Sequence, residues 1–295
     1  MSDPDIGALR AKLASRPRST DIAQRRRDAD ARGIAYGTAA DVTVEKVSAN
    51  GVTAEWTSTP GAARDAAILY AHGGGYVTGS LDSHRHMVSE LGRAANALVL
   101  ALEYRCAPEH RFPAPVEDAL AGYRYLLAQG FKPERIAIAG DSAGGGLVVA
   151  AMVAIREAGL AQPGGGYCLS PWVDMEAIGE SFDTRAAADP MVQRAGILEM
   201  AGLYLGDADP RSPLAAPIYA DLSGLAPLLI QVGAAETLLD DAIRLAQKAG
   251  AADVRVGLQI WPEMVHIWPM FWKELRAGKQ ALDAAGAWLK ATLGT

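Results

Sequence analysis

The stretch Arg135-Ile136-Ala137-Ile138-Ala139-Gly140-Asp141-Ser142-Ala143-Gly144-Gly145-Gly146 decides how the rest of the chain is read. A short apolar run, β-branched at Ile136 and Ile138, enters a glycine-flanked turn, and an apolar, Ala-rich run from Leu147 to Ala158 leaves it with helical character. Strand, tight turn, helix is the setting in which Gly-x-Ser-x-Gly carries chemistry. Gly140 and Gly144 leave room where a side chain would clash, so Ser142 sits at the tip of the turn with its hydroxyl clear of the backbone. The helix that follows points its first amides at the same spot, where negative charge is favoured. In a chain rich in glycine the five-residue pattern alone is a modest hint; its placement between strand and helix gives it weight.

Outward from this turn, strands and helices alternate. Strands are predicted at 66–71, 97–103, 136–139, 166–169, 228–232 and 254–261, with helices at 83–95, 116–129, 144–158, 240–248 and 273–292. That rhythm predicts an α/β fold, a mainly parallel sheet with helices on both faces. Ahead of it, two alternating runs, 42–49 and 52–58, flank Asn50-Gly51, which predicts a hairpin adding antiparallel pairing at one edge. The rhythm lapses between Met175 and Pro213, where a helix is expected at 195–205. The expected organisation is an N-terminal cap segment (1–40), a core (41–174), a cap insertion (175–213) and the rest of the core (214–295).

Length and composition narrow the function. The chain has 295 residues, 50% of them hydrophobic, enough for one α/β core plus a small accessory piece. A net charge of −6 argues against nucleic acid as a partner, and the lone basic run, Arg25-Arg26-Arg27, reads as a solvated helix face because Asp28 and Asp30 follow it. No apolar run approaches the ~20 residues of a membrane span, so no stable membrane association is expected. The opening Met1 to Asp5 lacks the basic-then-apolar order of a secretion signal, and a cytoplasmic location is expected. Cys106 and Cys168 are then expected to be buried, reduced thiols.

In such a sheet, ligands bind beyond the carboxyl ends of the strands. After the strand at 66–71 comes His72-Gly73-Gly74-Gly75-Tyr76, whose unobstructed amides can be aimed at an oxyanion. With Ala143, just after the candidate nucleophile, Gly74 and Gly75 are the candidate oxyanion donors, worth roughly 3–4 kcal/mol each. Ser142 needs a base to take its proton. Of five histidines, His72 belongs to the glycine loop, His84 and His86 flank Arg85 as a weak metal signal without supporting ligands, and His110 lies in a proline-rich stretch. His266 alone follows a strand and lies downstream of both the serine and a candidate acid, so it is the predicted base. For the acid, Glu236, Asp240 and Asp241 compete. Thr237 with Asp240 fits a Thr-x-x-acid helix start and Asp241 shares that first turn, whereas Glu236 precedes the helix and has no such explanation.

The chain resembles the hormone-sensitive-lipase family of bacterial esterases, within the α/β-hydrolases. The resemblance rests on His72-Gly-Gly-Gly, Tyr104-Arg-Cys-Ala-Pro-Glu-His110, Gly140-Asp-Ser-Ala-Gly-Gly, Asp189-Pro-Met191 and His266, in that order, and runs from about Val42 to the C-terminus. It implies a Ser-acid-His triad, an oxyanion hole from the glycine loop, a cap, short-chain ester substrates and a homodimer, through the edge strand at 254–261. One departure stands out. Many members carry Asp-Pro-Leu-Arg-Asp where this chain has Glu236-Thr237-Leu238-Leu239-Asp240. Aligned by resemblance, Glu236 falls where the family's catalytic Asp stands.

The expected function is therefore a serine carboxylesterase acting on small esters through Ser142, His266 and Glu236, with no cofactor or metal needed. Tyr76, Asp141, Met191, Val192 and Trp268 are the candidate substrate-binding residues. An amidase or peptidase would use the same machinery, a non-catalytic receptor would lack the nucleophile or base, and an interfacial lipase would need a long exposed apolar lid.

Overall fold

The computed structural model describes residue 3, residues 5–16 and residues 19–295. Two helices, α1 (Ile6–Ala14) and α2 (Ile22–Tyr36), precede the sheet. Ile6, Leu9 and Leu13, at helical spacing, give α1 one apolar stripe, and it is buried. Strands β1 (Thr43–Ala49) and β2 (Val52–Ser58) form the expected hairpin, paired from Ala49 opposite Val52 to Thr43 opposite Ser58. Asn50 and Gly51 both take positive φ, 53° and 94°, as a two-residue turn of this hand requires.

The sheet has eight strands in the order β1-β2-β4-β3-β5-β6-β7-β8. Strand β2 pairs antiparallel with β4 (Ala97–Leu102); thereafter β4, β3 (Ala63–Ala71), β5 (Ile136–Asp141), β6 (Gly165–Leu169), β7 (Leu228–Gly233) and β8 (Val256–Trp261) are all parallel. Successive strand residues face opposite sides. Strand β3 thus sends Ala67, Leu69 and Ala71 to one core and Ala66, Ile68 and Tyr70 to the other. The first core is covered by α4 (Ala114–Ala128), α5 (Ala143–Glu157) and α8 (Leu239–Ala251), the second by α1, α3 (Leu81–Ala95) and α9 (Arg276–Leu293). Helix α5 is apolar all round and buried from Ala143 to Ile155, so each Leu, Val or Ile on it contributes about 1.5–3 kcal/mol of burial. It is a firm mount for whatever its first turn presents.

The helix expected at 273–292 starts later. Pro269 lies in the 3₁₀ turn Trp268–Phe271, and α9 begins only at Arg276, where the Asp3 carboxylate accepts the Ala277 amide at 2.7 Å. Between β6 and β7 lie α6 (Ser181–Thr184) and α7 (Arg194–Leu205). An ion pair from Arg25 to Glu199, 3.4 Å, ties α2 to α7. Strand β8 is the free edge of the sheet opposite the hairpin, and Ile260 on it is exposed.

Candidate active site

Ser142 follows the last residue of β5 and precedes the first of α5, with φ 56° and ψ −121°. A non-glycine residue rarely adopts this conformation, and it is held by its surroundings. The Ser142 amide donates to Leu169 O at 2.8 Å, and its carbonyl accepts the amides of Gly146 and Trp172. A Cβ at Gly140 would overlap the Gly144 carbonyl, and one at Gly144 would overlap that of Ala71, so the turn closes only with glycine at both positions.

The strand ends bring the other groups together. His266 follows β8, and its Nε2 lies 3.0 Å from Ser142 Oγ, while Nδ1 lies 2.7 Å from Glu236 Oε2. A carboxylate only accepts, so the proton sits on Nδ1 and Nε2 is left free to accept from the serine hydroxyl. Glu236, wholly buried in the loop after β7, is fixed at its other oxygen, Oε1, by the Gly233 amide and by Ser170 Oγ at 2.9 Å. Burial disfavours the imidazolium of His266, but the hydrogen bond and charge of Glu236 outweigh it, and the pKa lies above the ordinary imidazole value. Burial likewise raises Glu236, with His266 opposing.

Asp240 and Asp241 do not approach His266. Asp240 accepts the Ser181 amide at 2.8 Å, and Asp241 accepts those of Val173 and Asp174. Burial pushes Asp241 up to about 7. The expected Thr-x-x-acid cap is corrected: Leu238 stands at the N-cap without a side-chain bond, because Thr237 Oγ1 is engaged by Asp189 Oδ2 and Val192 O.

The glycine loop faces Ser142. Gly74 and Gly75 have φ 125° and 65°, and a Cβ on Gly75 would collide with Met200 Sδ. Among the described residues their amides, like that of Ala143 in the first turn of α5, take no acceptor. They are free to face an anion. Asp141 anchors the loop's root: its Oδ1 accepts the Gly73 amide at 3.0 Å and the Tyr70 hydroxyl at 2.7 Å. His72 stacks on Tyr104 with ring centroids 4.2 Å apart, and burial lowers it to about 3, so it stays neutral. No cluster of potential metal ligands occurs among the described residues.

A cavity of about 660 Å³ opens over these groups, lined by Ser142, His266, Gly74, Gly75 and residues of α1, α2 and α7. Met191 and Val192 line it. Three other candidates for substrate contact do not. Tyr76 is buried and stacks on Tyr204 at 4.0 Å, and Trp268 is buried with Nε1 donating to Ala277 O. Asp141 lies beneath the loop. Each is large or charged enough to be noticed in sequence, and each instead braces the site from behind. Ser170 is a site residue that sequence reading missed. No motif marks it, and only the pairing of β6 between β5 and β7 brings it to Glu236.

Comparison with known proteins identifies the family. The family described as alpha/beta hydrolase fold matches residues 68–270. An acetyl-hydrolase of Streptomyces hygroscopicus is 44% identical, over 100% of this chain and 99% of the relative. Among solved structures, an esterase from the bacterial hormone-sensitive lipase family is 49% identical with a TM-score of 0.96, covering 100% of both chains. EstE5, soaked with p-nitrophenyl butyrate, is 46% identical with a TM-score of 0.96, again over 100% of both. Among the described residues no helix is long and apolar enough to cross a membrane. The chain belongs to the bacterial hormone-sensitive-lipase family of α/β-hydrolases and is an esterase.

Proposed function

We propose that the protein is a serine carboxylesterase that hydrolyses short- to medium-chain acyl esters through Ser142, His266, Glu236 and an acyl-enzyme. The observation that carries this is the pair of contacts made by His266, 3.0 Å to Ser142 Oγ and 2.7 Å to Glu236 Oε2. Ser142 Oγ attacks the ester carbonyl as its proton passes to Nε2 of His266. The imidazolium is stabilised by Glu236, and the tetrahedral oxyanion by the amides of Gly74, Gly75 and Ala143. His266 then protonates the departing alcohol. Water, activated by the same nitrogen, attacks the acyl-enzyme, and Ser142 leaves with its proton restored. The proton first taken from Ser142 leaves with the alcohol, and one from water, relayed through His266 Nε2, replaces it.

Residues 1–40 and 175–213 serve in this reading as a cap, since α1, α2 and α7 contribute walls to the cavity. The cavity rim mixes charges of both signs, Lys12 and Arg25 with Glu274 and Glu199, rather than the continuous apolar lid that an interfacial lipase would need. The relatives, an acetyl-hydrolase and an esterase soaked with a butyrate ester, point the same way. The test is a ladder of p-nitrophenyl esters. The value of kcat/KM is expected to be highest for short acyl chains and to fall beyond roughly eight carbons, as the bounded cavity fills. Faster turnover of emulsified long-chain triglyceride would favour a lipase. Faster turnover of the matching amides would favour an amidase.

The pH dependence follows from the base. His266 must be neutral to accept the serine proton, and its pKa lies above the ordinary 6.5. Activity therefore rises with pH along a limb centred above 6.5 and is lost as pH falls through it. A profile flat from about pH 5 to about pH 8 in folded enzyme would contradict a histidine base.

A further inference from the structure

The end of β6 bonds two residues of the proposed triad, Ser142 and Glu236, and the residue directly after the third, Ile267. Register explains why. Leu169, the last residue of β6, pairs with Asp141 of β5 on one side and Gln231 of β7 on the other. The next residue, Ser170, is thus delivered between the strand ends that carry Ser142 and Glu236. Its amide donates to Gln231 O at 2.7 Å, and its neighbours hold the nucleophile turn: the Ser142 amide bonds Leu169 O, and the Trp172 amide bonds Ser142 O at 2.9 Å.

The Ser170 side chain reaches Glu236 and the backbone beside His266. A φ of 45° turns it away from the direction a strand residue would take. Its Oγ lies 2.9 Å from Glu236 Oε1 and 3.1 Å from the amide of Ile267, the residue directly after His266. The proton assignment is forced. The Ile267 amide can only donate, so the hydroxyl oxygen accepts there, and its own proton goes to the carboxylate, which can only accept. The residue is fully buried, so no solvent stands ready to replace it. One hydroxyl therefore sets the acid loop after β7 against the base loop after β8.

We propose that Ser170 is a positioning residue of the catalytic machinery, holding the Glu236 carboxylate and the His266 loop in register with the nucleophile turn. The proposal rests on the reading of Glu236 as the triad acid. Ser170 touches neither substrate nor reacting atoms; it acts through Glu236 and through the backbone beside His266. Without its hydroxyl, Oε1 keeps, among the described residues, only the Gly233 amide, and the Ile267 amide loses its acceptor, so two loops that must agree within a fraction of an ångström lose their common tie. The carboxylate left less neutralised also holds the proton on His266 more strongly.

The experiment compares Ser170→Ala, Ser170→Gly and Ser170→Cys on a short p-nitrophenyl ester, with rates normalised to titrated active sites so that misfolded protein does not count. Glycine relieves the positive φ while removing the hydroxyl, and cysteine restores a weak donor. Expected for Ala and Gly is a fall in kcat of about 10- to 100-fold with KM nearly unchanged. The acidic limb of kcat/KM should move to higher pH, and Cys should lie between these variants and wild type. In a Glu236→Gln background, Ser170→Ala should cost far less, because the carboxylate it positions is gone. Ser170 variants with lower thermal stability but wild-type kcat per titrated site and an unmoved limb would overturn the proposal, leaving Ser170 structural. If Glu236→Gln itself stays active, the acid assignment fails first, and that result is distinguishable because it needs no Ser170 variant.

Discussion

Ser142→Ala is expected to fold like the wild type and to lose kcat for ester hydrolysis by roughly 10⁴- to 10⁶-fold. Among the described residues the only side-chain hydrogen bond of Ser142 goes to His266, and what holds the strained turn is backbone: the Leu169 carbonyl, the Gly146 and Trp172 amides, and the glycines packed against it. Removing Oγ therefore deletes the proposed nucleophile and leaves its mount intact. The proposed oxyanion donors at Gly74, Gly75 and Ala143 remain, so a residual rate above that in water is expected. Thermal unfolding and steady-state kinetics on the same preparation check both halves. Turnover within tenfold of wild type would remove Ser142 from the mechanism.

Glu236→Gln should be nearly as severe, on the order of 10³- to 10⁴-fold in kcat. The carboxylate accepts on both oxygens, from His266 Nδ1 at one and from the Gly233 amide and Ser170 hydroxyl at the other. A glutamine cannot match this. Turned one way, its NH₂ faces the Nδ1–H and drives His266 toward the wrong tautomer; turned the other, it faces the Gly233 N–H. Asp240→Asn is the control. Asp240, in the first turn of α8, accepts the Ser181 amide, so its loss should cost about 0.5–1 kcal/mol of stability and little turnover. If Asp240→Asn abolishes hydrolysis in folded protein and Glu236→Gln does not, the triad must be redrawn through Asp240.

The strand–turn–helix around Ser142 and the Asn50-Gly51 hairpin were legible because local chemistry dictates them. A glycine that must admit a carbonyl, or a turn that needs positive φ, leaves a mark in the sequence itself. Long-range partnerships leave none. Thr237 looked like a helix cap because a hydroxyl three residues before an acid usually is one; the distant Asp189 engages it instead. Trp268 and Tyr76 looked like pocket walls because aromatic residues beside catalytic ones are conspicuous, yet burial against Ala277 and Tyr204 makes each a brace. The first turn of α9 is bonded by Asp3, more than two hundred residues away in sequence. Ser170 was invisible for the same reason: its place is fixed by the register of three parallel strands, which no single segment encodes.

The central claim, a covalent acyl-enzyme on Ser142, is tested most directly by acid-quenching the enzyme during turnover of p-nitrophenyl butyrate and mapping adducts by peptide mass spectrometry. The account predicts one butyryl group, confined to the peptide carrying Ser142, that accumulates when deacylation is slowed by lowering the pH and is absent from Ser142→Ala. A butyryl group on any other residue, or full turnover with no adduct at any quench time or pH, would contradict it.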